Sequence, residues 1–109
     1  MTDAEDEALA DRAMMALRRV IDPELGYNIV DIGLIYRVEV DGAAVRVVMT
    51  TTTRGCPATD YLRGGASDAV GSAEGVESVA VELTYEPPWT PEMMSAGAKA
   101  HLGISDDGW

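Results

Sequence analysis

The stretch AVRVVMTTTTRGCPATDYL (residues 44–62) decides the fold, because it joins a strand pattern to a helix start through a polar loop. Apolar side chains alternate along its first part, which is typical of a half-buried strand: Val45, Val47 and Met49. Pro57 suits the first helical position, since proline has no N–H to leave unpaired there. The stretch therefore predicts a strand extended by threonines 50–53, a turn at Cys56 and a helix from Pro57.

Two more strands are predicted on either side of this stretch. LIYRVEV (34–40) alternates apolar and charged residues, and DG at 41–42 is typical of a hairpin turn into the next strand. One face of that first strand is predicted to carry Leu34, Tyr36, Val38 and Val40. VESVAVELTY (76–85) predicts the third strand, which must end before EPPW (86–89), because two prolines cannot donate to a ladder. YNIVDIG (27–33) is apolar but irregular and is predicted to be a loop.

The first helix is predicted to begin at a capping box, Thr2 with Glu5, and to end at about Ile21 before Pro23. Its apolar stripe has helical spacing: Leu9, Ala13, Leu17 and Val20. DPELG (22–26) then has the composition of a turn.

The second helix carries a weaker stripe at Leu62, Ala66, Ala69 and Val70. Gly64 and Gly65 oppose it by about 1 kcal/mol each relative to alanine. The last helix is predicted to be capped by Thr90, to contain Pro91 and to end near Gly103.

The predicted order is α-β-β-α-β-α, which gives one small α+β domain over residues 1–109. Its core spans about residues 8–103, and both ends are acidic. The second strand, the helix and the third strand form a crossover, which is expected to be right-handed. We therefore expect a three-stranded mixed sheet packed with helices.

The chain has 19 acidic residues and 8 basic ones, which give a net charge of −11. This charge limits the classes of partner that the chain can bind. Such a surface repels nucleic-acid backbones and anionic membranes. The acidic N-terminus does not have the pattern of a secretory signal, and no apolar run approaches the roughly 20 residues that span a bilayer. These features predict a cytoplasmic protein with no nucleic-acid or membrane partner.

Cys56 is the only cysteine, so no internal disulfide supports the fold. At a helix N-terminus its thiolate would gain about 0.3–1 kcal/mol from the unpaired N–H groups. The alternative is a lone cysteine that only fills space in the core. A hydrolase triad is disfavoured, because the only histidine is His101 in the predicted last helix.

One copy offers a single thiol and a single imidazole, which is too few soft ligands for a closed metal site. Cys56 could hold iron or an iron–sulfur cluster transiently if a second copy, a small thiol or a client protein supplied the remaining ligands. A homodimer is therefore one partner that the residues leave open.

Three blocks of the chain resemble the metal–sulfur cluster assembly factor family, with its SufT-like and PaaD-like domains and the related eukaryotic cytosolic iron–sulfur targeting factors. They are VIDPELGYNIVDIGLIYRVEVDG, VVMTTTTRGCPATDYL and VELTYEPPWTPEMMS. The resemblance covers about residues 8–103. The sequence does not show the C-terminal cysteine-rich segment of the phenylacetate-pathway members, so the specialised role of those members is not expected.

The resemblance implies a compact α+β domain that matures iron–sulfur proteins as a carrier or targeting factor, and not as a desulfurase. It implies that Cys56 is the reactive residue, and that the partners are client proteins and the assembly machinery. The family pattern carries over onto Asp22, Pro23, Glu24, Gly33, Leu34, Thr52, Thr53, Gly55, Pro57, Pro87, Pro88 and Trp89.

Each of these residues also has a plainer interpretation. Asp22 and Glu24 can act as hard iron ligands or take the thiol proton, or Asp22 merely caps its turn while Glu24 is solvated. Thr52 and Thr53 can donate hydrogen bonds to a thiolate or sulfide, or they are ordinary strand residues. Trp89 either covers the cysteine pocket or belongs to the core.

Two other functions are compatible with the sequence. The chain can be an adaptor that recognises clients through an apolar surface, with Cys56 incidental. It can also be a thiol redox protein, which would need an external thiol because no second cysteine is present.

Overall fold

The computed structural model describes residues 3–52 and 58–103. Their helices and strands follow the order α1 (Asp3–Leu17), α2 (Ile29–Ile32), β1 (Ile35–Asp41), β2 (Ala44–Met49), α3 (Thr59–Gly71), β3 (Ser78–Leu83) and α4 (Ala96–Leu102). A 3₁₀ turn at Pro91–Met93 precedes α4. The predicted α+β class with a three-stranded mixed sheet is confirmed. Within these ranges no helix combines the length and apolarity needed to cross a membrane.

The sheet has the strand order β1-β2-β3, with β2 in the centre. β1 and β2 are antiparallel and join at a tight turn where Gly42 has a φ of +64°, so the predicted hairpin is confirmed. β2 and β3 are parallel, from Ala44 beside Ser78 to Met49 beside Leu83. Parallel strands need a crossover, and α3 supplies it.

The core lies between one face of the sheet and the helices α1 and α3. We call this the inner face of the sheet and the opposite one the outer face. The predicted apolar stripes are buried there: Leu9, Ala13 and Leu17 from α1, Val45, Val47 and Met49 from β2, and Leu62, Ala66 and Val70 from α3. Burial of these side chains, at roughly 25 cal/mol per Å² of apolar surface, is the main stabilising term.

Two predicted boundaries are wrong by four residues each, and β3 is two residues shorter at each end than the predicted 76–85. α1 ends at Leu17 and not at Ile21, because the next turn tightens: the N–H groups of Arg19 and Val20 donate to carbonyls three residues back. Ile21 then pairs with Asn28 in an isolated β-bridge. The threonines do not extend β2, which ends at Met49.

The predicted loop at residues 27–33 contains the short helix α2. Asn28 caps it, because its side chain accepts a hydrogen bond from the N–H of Asp31. Gly33 ends it in the left-handed conformation with a φ of +92°. An N-cap residue and a C-terminal glycine were therefore present in the sequence, but the helix between them is only one turn long.

The predicted last helix is divided into two parts. The chain turns once at Pro91–Met93, becomes extended at Met94 and starts α4 after Ser95. Ser95 and not Thr90 provides the side-chain cap, since its hydroxyl accepts from the N–H of Ala98. The predicted end at Gly103 is confirmed.

A β-bulge in β1 changes the direction of one side chain. The register shifts between Ile35 and Arg37, so that Tyr36 is an extra residue opposite Val48. Tyr36 lines a cavity together with Arg37 and Val48 on the outer face. The prediction that Tyr36 shares a face with Val38 is therefore wrong.

Substitution of Gly33 by alanine is expected to destabilise the protein strongly. A Cβ there would lie 2.5 Å from the carbonyl oxygen of Met93, and the backbone is left-handed. We expect a loss of about 3 kcal/mol or more in the free energy of unfolding, measured by urea denaturation. Gly26→Ala is the matched control, because its φ is +68° but no atom lies within 4 Å of the added Cβ. Equal losses in the two variants would contradict the steric argument.

Gly64→Ala is expected to stabilise α3 by about 0.5–1 kcal/mol. The added Cβ would meet no atom within 4 Å, so only the helix propensity changes. Gly65→Ala should gain less or nothing, because its Cβ would lie 3.2 Å from Cγ1 of Val20. Thermal unfolding of the pair tests this difference, and identical shifts in the melting temperature would refute it.

Candidate functional site

The candidate site lies where β2 connects to α3. The described chain stops at Thr52 and resumes at Ala58, so the predicted site residues Thr53, Gly55, Cys56 and Pro57 fall outside the described residues. The carboxyl ends of parallel strands share one edge of a sheet, and strand-to-helix connections begin at that edge. The described residues around the carboxyl ends of β2 and β3 therefore frame the candidate site.

The ends of β2 and β3 are joined by a side-chain contact. Thr51 Oγ1 and Tyr85 Oη are 3.0 Å apart, and Thr51 is buried. Thr50 is buried as well, and its N–H donates to the carbonyl of Leu34 at 2.8 Å. Thr52 is half-buried. Sequence reasoning missed Thr51 and Tyr85 as framing residues, because nothing in the strand pattern shows that the two side chains meet.

Residues 22–26, which we call the acidic turn, are organised by Asp22. This side chain is only 3% exposed, and its Oδ1 accepts hydrogen bonds from the N–H groups of Glu24 at 2.7 Å and Leu25 at 3.0 Å. The N–H of Gly26 donates to the carbonyl of Asp22, with a φ of +68° at the glycine. Asp22 therefore caps the turn, and the Glu24 side chain is exposed.

Main-chain hydrogen bonds connect the acidic turn to the end of β2. The N–H of Ile29 donates to the carbonyl of Val20, and the N–H of Leu34 donates to the carbonyl of Ile29, both at 3.0 Å. The bond from Thr50 to Leu34 continues this series to the strand end. On its other side Val20 packs against Gly65 of α3. Val20, two residues before the acidic turn, therefore contacts both α2 and α3.

Residues 87–95, which we call the C-terminal strap, cross over α2. Hydrogen bonds hold it, among them Trp89 Nε1 to Ile32 O (2.9 Å), Tyr36 Oη to Pro87 O (2.8 Å) and Ser95 N to Asp31 O (2.7 Å). Trp89 is partly buried and packs against the core. The PPW motif thus anchors the strap to the helix that links the acidic turn to the sheet.

A cavity of about 900 Å³ lies beside the strap on the outer face of the sheet. Tyr36 lines it, and burial raises the pKa of the Tyr36 phenol, an effect that a hydrogen bond with Thr50 partly offsets. Arg37, Glu82 and Glu86 add charged groups to a lining that also contains apolar side chains, among them Ile35, Val48 and Met93. The cavity is therefore a depression of mixed polar and apolar character.

Within residues 3–52 and 58–103, no three His, Cys, Asp or Glu side chains converge as metal ligands would. His101 lies in α4, and its ring centroid is 4.8 Å from that of Tyr27. The only histidine thus packs against an aromatic ring on the α4 side of the molecule. Main-chain hydrogen bonds link the region of Asp22 to the end of β2, and Trp89 binds α2. The contacts of Cys56 lie outside the described residues.

The model of a family described as iron–sulfur cluster assembly protein matches residues 10–83. The chain is 39% identical over 100 residues to the Fe-S protein maturation auxiliary factor YitW of Bacillus subtilis, covering 91% of this chain and 98% of the relative. It is 41% identical over 87 residues to the Fe-S protein maturation auxiliary factor SufT of Staphylococcus aureus, covering 79% of this chain and 99% of the relative.

The fold also matches a solved structure. A domain of unknown function, DUF59, from Bacillus anthracis superposes with a TM-score of 0.90 at 34% sequence identity, covering 95% of this chain and 100% of that chain. The matched arrangement therefore includes nearly every element described above.

Asp22→Ala is expected to lower the free energy of unfolding by about 1–3 kcal/mol, because it leaves two main-chain N–H groups without an acceptor. Asp22→Asn should cost less, since its carbonyl oxygen can replace Oδ1. Urea denaturation of both variants measures the difference. Equal losses would show that the negative charge, and not the acceptor geometry, is what the turn requires.

Proposed function

This chain belongs to the iron–sulfur cluster assembly protein family, and we propose that it takes part in the maturation of iron–sulfur proteins as a carrier or targeting factor. One observation carries the proposal. Cys56, the only cysteine of this chain, lies in the sequence between β2 and α3, where the chain leaves the carboxyl edge of the parallel pair β2–β3. Two of its relatives are named as Fe-S protein maturation factors.

In this proposal Cys56 is the residue that holds the cargo, either iron or an iron–sulfur cluster. A thiol must lose its proton to bind a metal ion, so loading releases a proton from Cys56. Iron–sulfur clusters are usually held by four protein ligands, and one copy has one cysteine. A small thiol, a second copy or the client supplies the remaining ligands, which makes the binding transient and suited to transfer.

The framework around the connection supports this role. Thr51 and Tyr85 tie the two strand ends together at 3.0 Å, and α3 is anchored by its buried apolar stripe. A connection held at both ends by rigid elements can present a reactive side chain without the surrounding fold moving. Asp22 contributes by shaping the acidic turn, and Glu24 remains exposed to solvent as a candidate proton acceptor or hard ligand.

The proposed partners are client proteins and components of the assembly machinery. The net charge of −11 favours partners with basic surfaces, because opposite charges raise the rate of encounter. An adaptor that binds clients without any use of Cys56 is the second candidate, and a thiol redox protein with an external thiol is the third.

We expect the full chain, incubated anaerobically with ferrous iron and sulfide, to develop visible absorbance that Cys56→Ala abolishes. The physical reason is that Cys56 provides the only thiolate of the chain. Cys56→Ser is the matched variant that retains shape and a weaker oxygen ligand. Transfer of the bound iron or cluster to a client is then measured as the activity that an apo iron–sulfur enzyme regains.

The outcomes separate the three candidates. If neither wild type nor Cys56→Ala binds iron and both support maturation of the client, the adaptor is correct. If wild type binds no iron but Cys56 forms mixed disulfides with a small thiol, the redox protein is favoured. The rate of Cys56 alkylation against pH gives a further measure, since an apparent pKa above about 8.5 indicates a thiol with no activation.

A further inference from the structure

β3 is an edge strand whose outer hydrogen-bonding groups have no partner in the described chain. The N–H of Ser78 donates to Ala43 O at 3.4 Å, and the N–H of Thr84 donates to Met49 O at 2.9 Å. Main-chain groups of successive strand residues point to opposite sides. The N–H and C=O groups of Val79, Val81 and Leu83 therefore point away from β2, and no residue in 3–52 or 58–103 bonds to them.

The other edge of the sheet is protected in a way that β3 is not. β1 carries a bulge between Ile35 and Arg37. From Arg37 to Asp41, every second residue of β1 is charged and lies on the outer face. Bulges and charges are the usual means by which edge strands avoid pairing. β3 pairs with β2 without a bulge, contains no proline or lysine, and has Glu82 as its only charged residue.

We propose that a second copy of this chain pairs antiparallel with β3, with the two-fold axis at Val81. Val81 then faces Val81 of the second copy, and Val79 faces Leu83 of the second copy. The outward N–H and C=O groups of these residues have no partner among residues 3–52 and 58–103, so each facing pair can exchange both main-chain hydrogen bonds. The two inner faces also join, because these three side chains point toward the core on the same side of the sheet.

The register follows from charge and from backbone direction. A two-fold axis at Glu82 would place two carboxylates directly opposite each other, which is destabilising. An axis at Ala80 would place Leu83 opposite Glu77, whose N–H is already donated to Ala43 O at 2.8 Å. With the axis at Val81, the small side chain of Ala80 lies opposite Glu82 and leaves room for it.

The charge of Glu82 is already partly offset within each copy. Arg46 of β2 binds both Glu82 and Glu39 on the outer face, and these carboxylates, Glu82 first, raise the pKa of the arginine. A second copy therefore meets a paired carboxylate at this edge. The net charge of −11 on each copy still opposes association over longer distances.

We expect a weak dimer that salt strengthens. A strand-edge interface is smaller than the standard size of roughly 1,600 Å² for stable complexes. The repulsion between two acidic copies is screened at high ionic strength, while main-chain hydrogen bonds between strands are not. The antiparallel arrangement also directs the carboxyl ends of β2 and β3 of the two copies in opposite directions.

The experiment measures amide exchange and sedimentation of the full chain at increasing protein concentration, in low and high salt. We expect the amides of Val79, Val81 and Leu83 to become protected as concentration rises. The amides of Ala80 and Glu82, which already face β2, should not change. Ala80→Glu, opposite Glu82, should weaken dimerisation about twofold to thirtyfold, and Ala80→Lys should strengthen it.

Ala44→Glu is the matched control, because Ala44 is an exposed outer-face residue of the central strand. A monomer under all conditions, with unprotected amides at Val79, Val81 and Leu83, would overturn the proposal. Protection that appears only on adding an apo iron–sulfur client would assign the edge to a client strand instead of a second copy. Equal weakening by Ala44→Glu and Ala80→Glu would reject the register.

Discussion

The parallel pairing of β2 with β3 is the constraint on which the rest of the structure depends. Two parallel neighbours cannot be joined by a tight turn, so the chain must leave the sheet at the end of β2 and return through α3. That crossover covers the inner face of the sheet and buries Leu62, Ala66 and Val70. It also makes residues 53–57 a strand-to-helix connection, the position in open sheets where ligands are commonly bound.

The elements connected to the end of β2 are drawn from segments far apart in the chain. The acidic turn reaches β2 through the main-chain bonds of α2, and the strap crosses α2 through Trp89. Gly33 permits this close crossing, because any larger residue would meet the main chain of Met93. The three blocks by which the family is recognised thus correspond to one physical unit: the turn with α2, the end of β2, and the strap.

The net charge of the chain and the ion pairs on the outer face of the sheet act over different distances. The net charge affects encounter with other proteins over the screening length of about 8 Å. On the outer face, Arg46 of the central strand pairs with both Glu39 and Glu82 and so partly offsets the charge of the two carboxylates.

By itself the sequence determined what depends on neighbours in the chain. Turn chemistry located Asp22 and Gly42, apolar periodicity located the buried stripes, and the only cysteine located the candidate site. The tertiary structure alone decided the one-turn helix α2, the bulge that turns Tyr36 outward, the cap at Ser95 and the meeting of Thr51 with Tyr85. The physical reason is range: a propensity acts over a few residues, whereas these features arise where distant backbones approach each other and must share hydrogen bonds.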